Sequence, residues 1–84
     1  MTAVIYVTRM RYLRDGRTGR TPAYTKYELC VDNETIFIRR AGDSFKNVKQ
    51  FKKWCLQTQK VIDLGITEIE IRKPTTYSLG FNAQ

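Results

Sequence analysis

The chain is predicted to fold as one α+β domain in the order β-β-β-α-β, a mostly antiparallel sheet with a single helix on one face. Three observations predict it. Alternating apolar and polar residues recur in short stretches separated by turn residues, as strands require. One segment, residues 44–64, instead repeats its apolar residues at helical spacing. And 84 residues suffice for one core, whereas two independent domains would each be too small to bury one.

Residues 3–13 begin apolar on both faces and end alternating, with Met10 and Tyr12 on one side and Arg9 and Arg11 on the other. That pattern is a strand, central at its start and solvated at its end. Residues 14–22 contain two glycines, a proline and no apolar side chain, which makes them a loop. Residues 23–31 alternate again, with Tyr27, Leu29 and Val31 on one face and Lys26 and Glu28 on the other. Asp32-Asn33-Glu34 is turn material, so residues 23–31 and 35–40 form a hairpin. In its second arm Ile36 and Ile38 alternate with Phe37 and Arg39.

The helix is expected over residues 44–64, capped by Ser44 or Asp43 and closed at Gly65. At 100° per residue Val48, Phe51, Cys55 and Ile62 fall on one arc, with Lys46, Lys49, Lys53 and Lys60 almost opposite. Residues 66–73 form the last strand, with Ile69 and Ile71 inward, and Pro74 stops it. The domain thus spans residues 1–74, and residues 75–84 are a polar tail. One amphipathic helix covers one sheet face, leaving the other solvated.

Composition narrows the chemistry. There are 15 Lys and Arg against 8 Asp and Glu, a net charge of +7, and no His. Without His the commonest general base, the Ser-His and Cys-His pairs and nearly every usual zinc site are gone. Walker-type and Gly-x-Gly-x-x-Gly loops are absent. Glu68 and Glu70 could hold a metal on paper, but Glu-x-Glu is common on exposed strands and has no third carboxylate at a suggestive spacing. The expectation is a non-enzymatic chain with no cofactor and no metal. Cys30 and Cys55 sit within apolar patterns and are expected to be free thiols. Two cysteines are few for a small secreted domain, and residues 1–5 lack a basic stretch and a cleavage site, so the expected location is cytoplasmic. No apolar run reaches the roughly 20 residues of a membrane span.

The positive charge is concentrated. In residues 1–22 Arg9, Arg11, Arg14, Arg17 and Arg20 stand against Asp15 alone, and in residues 39–60 Arg39, Arg40 and five lysines stand against Asp43 alone. Arginine presents a planar fork that matches phosphate oxygens, and loop glycines allow close backbone approach. The same loop can also be a solvated hairpin tip. An ordinary exposed helix mixes charge signs for i,i+4 support, whereas these lysines lack acidic neighbours. Tyr6, Tyr12, Tyr24 and Tyr27 lie near Arg9, Arg11 and Lys26. Aromatics on a sheet beside cations can stack single-stranded bases, and tyrosines equally fill half-buried strand positions. No RNP-type motif or KH-type Gly-x-x-Gly loop accompanies them.

Over residues 4–62 the order of three strands and a helix is similar in layout to the sheet-reading DNA-binding domains of the integrase arm-binding type; the strand at residues 66–73 departs from it. The size is that of many phage or mobile-element accessory proteins. Two functions fit the basic surface. One is nucleic-acid binding through Arg9, Arg11, Arg14, Arg17, Arg20, Lys26, Arg39, Arg40, Lys46, Lys49 and Lys53, mainly by phosphate contacts, with DNA and RNA equally compatible. The other is an inhibitor or adaptor that turns the same surface on an acidic protein or a nucleic-acid-handling enzyme.

Overall fold

A long first strand organises the molecule. In the computed structural model, which describes residues 2–13, 23–42 and 44–80, strand β1 runs from Ala3 to Leu13. It pairs antiparallel with β2, Ala23–Val31, which pairs antiparallel with β3, Glu34–Arg40. Helix α1 spans Val48–Gln57 and α2 spans Gln59–Asp63. Strand β4, Glu70–Ile71, and strand β5, Thr75–Gly80, both lie parallel to β1 on its free side. The five strands form one mostly antiparallel sheet in the order β3-β2-β1, with β4 and β5 sharing the far edge. The α+β class stands.

The β2–β3 turn has Asp32 at φ 52° and Asn33 at φ 70°. Positive φ at both central residues is the tight turn that matches strand twist, and Asp and Asn tolerate it. The register then slips: Leu29 faces Phe37 while Cys30 faces Thr35, so Ile36 is an extra residue in β3. This bulge overturns the expected alternation. Ile36 and Phe37 both pack on the core, and Ile38 is exposed on the other face.

The helix starts and breaks where the spacing does not foresee. Asn47, not Ser44 or Asp43, is the N-cap: its Oδ1 accepts from the Gln50 N–H at 3.0 Å, and the Gln50 side chain accepts in return from the Lys46 N–H at 2.8 Å. This reciprocal pair resembles a capping box. Thr58 interrupts the helix with ψ 145° while its hydroxyl donates to the Cys55 carbonyl at 2.8 Å. Threonine competes with the helical ladder in this way. The interruption resets the phase, so Val61 is fully buried and Ile62, expected inward, is 50% exposed. Gly65 closes the segment at φ 74°, as expected.

The C-terminal edge departs from the single strand expected at residues 66–73. Only Glu70 and Ile71 pair with β1 there, although Ile69 is buried and Ile71 partly so. Residues 75–80, expected in the tail, pair with Thr8–Leu13 as β5. Pairing advances three residues on β1, from Ile5 to Thr8, and four on the edge, from Ile71 to Thr75. The extra residue lies in the Arg72–Pro74 stretch. Proline has no N–H to give a ladder, so it suits such an irregular edge position.

The core lies between one sheet face and the helices. Phe51, Cys55 and Val61 pack with Ile5, Leu29, Tyr27 and Ile69. The Phe51 ring stacks on Tyr27 with centroids 5.5 Å apart, and Phe45 meets Phe51 edge-on at 5.3 Å. Val48, expected on the apolar arc, is only partly buried.

Candidate nucleic-acid interface

The helix is too short to cover the sheet. Eleven strand residues extend about 36 Å, whereas a ten-residue helix spans about 15 Å. On the helix side, the buried residues of β1 among those described accordingly stop at Val7, and Arg9 and Arg11 are exposed. From there β1, β2 and β5 continue as a blade with no helix over it among the described residues, and the molecule measures 50 × 24 × 18 Å.

Charge divides along the same axis. Glu28 pairs with Tyr6, Glu70 with Val4, Glu34 with Val31 opposite Ala3, and the Asp32 N–H donates to the Thr2 carbonyl. The strand acids and Asp32 therefore gather at the beginning of β1. From Val7 onward the paired rows contain Arg9, Arg11, Lys26, Arg39 and Arg40 and, among the described residues, no acid. Unpaired cations along one half of a narrow blade raise the local positive potential, which attracts polyanions.

These cations sit on different faces. Arg9 and Arg11 follow Ala3, Ile5 and Val7 on the helix side, and both are exposed. Arg9 is near enough to the buried Tyr27 hydroxyl to favour its ionised form, although burial dominates and pushes that pKa up. Lys26 and Arg40 share a row with Thr8 on the opposite face. Arg39 returns to the helix side, where its guanidinium lies over the Trp54 and Phe37 rings. Lys46, Lys49 and Lys53 are exposed on the helical layer, as expected. Lys46 precedes the helix rather than lying in it. The structure thus brings Arg9 with Arg11, and Lys26 with Arg40, and does not gather all the basic residues on one surface. Arg14, Arg17 and Arg20 lie outside the described residues.

No protein-family model matches the chain, and neither a curated protein nor a solved structure shows significant similarity to it. The geometry alone bears on function.

The open face holds further side chains. Three of its successive rows are Tyr77–Met10–Tyr24, then Thr75–Thr8–Lys26–Arg40, then Tyr6–Glu28–Ile38. Tyr6, Ile38 and Tyr77 are 41%, 48% and 57% exposed. The Arg40 guanidinium lies 4.1 Å from the centre of the Tyr24 ring. Of the four tyrosines singled out in the sequence, Tyr27 belongs instead to the core. Tyr77 escapes the pattern because Pro74 reads as the end of the domain. Its signal is the short β-prone stretch Thr75-Thr76-Tyr77.

The other reactive groups have ordinary structural surroundings. Glu70 is ion-paired to Arg72 at 2.7 Å, and among the described residues no three Cys, Asp or Glu side chains gather as a metal would need. Cys30 and Cys55 are free thiols on opposite faces of the sheet. Burial pushes the Cys55 thiol up to about 12, with Arg39 pulling it the other way. Burial also raises Cys30, whose sulfur lies 3.6 Å from the Glu28 carboxylate. Neither is the low-pKa thiol that nucleophilic chemistry needs. No helix among the described residues is long and apolar enough to cross a membrane.

Proposed function

We propose that the chain is a small non-enzymatic module that binds nucleic acid mainly through phosphate contacts. The segregation of charge along β1 carries this reading. From the Val7 row onward the paired strands hold five cations and no acid among the described residues, and four of these cations, all but Arg39, are not stacked on the helix. Like charges gathered without acids repel one another, a cost that a phosphate backbone relieves. Arg9 and Arg11 present guanidinium forks on one face, and Lys26 and Arg40 present charge on the other. Arg14, Arg17 and Arg20 follow β1 directly in sequence and extend the same basic tract. Phosphate contacts position a protein on nucleic acid without choosing a sequence, so the module is expected to be sequence-tolerant.

The test is direct titration of labelled DNA and RNA, single- and double-stranded, at rising salt. Binding with a steep negative slope of log K against log salt supports the reading. Absence of salt-sensitive binding to every probe at low ionic strength overturns it. The basic blade would then belong to an inhibitor or adaptor that faces an acidic protein surface.

A further inference from the structure

We propose that the open face of the sheet is a stacking platform for a single-stranded nucleic acid. The inference rests on the nucleic-acid reading above and commits it to one strand form.

A solvated face of an antiparallel sheet ordinarily carries the polar residues of the alternation. This face does not. Of the four large apolar side chains exposed among the described residues, Tyr6, Ile38 and Tyr77 all lie on it; Ile62 on the helical layer is the fourth. They are arranged in rows on either side of a cationic row. Tyr77, Met10 and Tyr24 lie beyond it, and Tyr6 and Ile38 lie before it. Between them Lys26 and Arg40 supply charge, with Thr8 and Thr75 completing the row.

That order matches the chemistry of an unpaired strand. Its phosphates need cations, and its bases offer apolar ring faces to each side of the backbone. A backbone crossing the face at Lys26 and Arg40 would lay bases on Tyr77 and Met10 on one side and on Tyr6 and Ile38 on the other. Arg40 adds to both functions, because its guanidinium already lies against the Tyr24 ring and is itself a flat surface on which a base can stack. The one acid in these rows, Glu28, is engaged by Thr35, whose hydroxyl donates to it. A duplex keeps its ring faces inside its own stack, so it would use the cations and leave the aromatics idle. Charge complementarity to phosphate, together with exposed ring faces flanking the charge, selects the single strand.

The experiment uses the full chain and fluorescence anisotropy with a labelled mixed-sequence oligonucleotide, single-stranded and as its duplex, in DNA and RNA forms. The single strand is expected to bind more tightly than the duplex. Tyr6→Ala and Tyr77→Ala should each weaken single-strand binding about 5- to 150-fold and leave duplex binding unchanged. Tyr6→Phe and Tyr77→Phe should retain it, because the ring survives. Unchanged melting temperatures confirm that these exposed positions do not unfold the chain. Alanine variants that bind the single strand as tightly as the parent overturn the platform. So does a parent that prefers duplex, and in that case the phosphate-binding reading survives alone. Binding to neither form removes both.

Discussion

The Arg39 guanidinium lies 5.2 Å from the centre of the Trp54 ring and 5.6 Å from that of Phe37. The two rings meet edge-on with centroids 5.0 Å apart, so one cation covers an aromatic pair at the rim of the core. The sequence pattern places Arg39 beside Arg40 as an equivalent phosphate contact, but successive strand residues point to opposite faces. Arg39 acts on stability: Arg39→Ala should cost about 1 kcal/mol and shift the emission of Trp54, the chain's one tryptophan. Arg40→Ala should leave that emission unchanged. Urea unfolding followed by tryptophan fluorescence checks both, and equal responses would refute the division of roles.

The phase change at Thr58 makes a second prediction. Val61→Ala should destabilise by about 2 kcal/mol, the value of burying such a side chain, whereas Ile62→Ala should be close to neutral. Phe51→Ala, at the centre of the aromatic cluster, should cost about 3–5 kcal/mol. An uninterrupted helix through residues 44–64 reverses the ranking of Val61 and Ile62, so equilibrium unfolding of the pair decides between them.

The contrast between Val61 and Ile62 shows what sequence makes legible. Three strands, the hairpin turn at Asp32 and Asn33, and the inward Phe51, Cys55, Leu29 and Ile69 follow from periodicity, because a core imposes its period on the residues that build it. Periodicity fails wherever one residue shifts the phase. Ile36 in the β3 bulge, Thr58 between the helices and the irregular Arg72–Pro74 edge each do so, and each moves the side chains next to it in its element to another face. Tyr77 reaches the open face by such a shift. The basic residues of the candidate site are legible as residues, since charge is composition. Their division between faces is not, since it depends on strand length against helix length and on pairing across the sheet.

The thiols give a prediction in pH. An unfolded cysteine releases its proton near 9, while Cys55 in the fold holds its own to about 12. Between these values the unfolded chain ionises and the folded chain does not, so stability falls as pH rises from about 9 to about 12. Tyr27, raised from 10.0 by burial, acts in the same direction. Cys55→Ala should flatten the decline between about pH 9 and 10 in urea unfolding, whatever its effect on absolute stability. With a thiol reagent, the half-buried Cys30 should react first and Cys55 only on unfolding. Two thiols that titrate together in the native state would contradict this arrangement.

The last prediction separates the two sides of the molecule. Lys26 and Arg40 lie on the open face, while Lys46, Lys49 and Lys53 belong to the helical layer, across the sheet. A single strand lying on the open face can meet the first pair and cannot reach the second set. For a single strand, each phosphate that a protein cation neutralises adds about 0.7 to the steepness of log K against log salt. Replacing Lys26 and Arg40 together by Ala should therefore flatten that slope by about 1.4, while replacing Lys46, Lys49 and Lys53 by Ala should leave it nearly unchanged. Total charge alone gives the opposite ranking, because the triple variant removes more of it. Salt titrations of the two variants against the same single-stranded oligonucleotide thus distinguish a positioned contact from diffuse attraction. A larger change in the triple variant would move the interface to the helical layer.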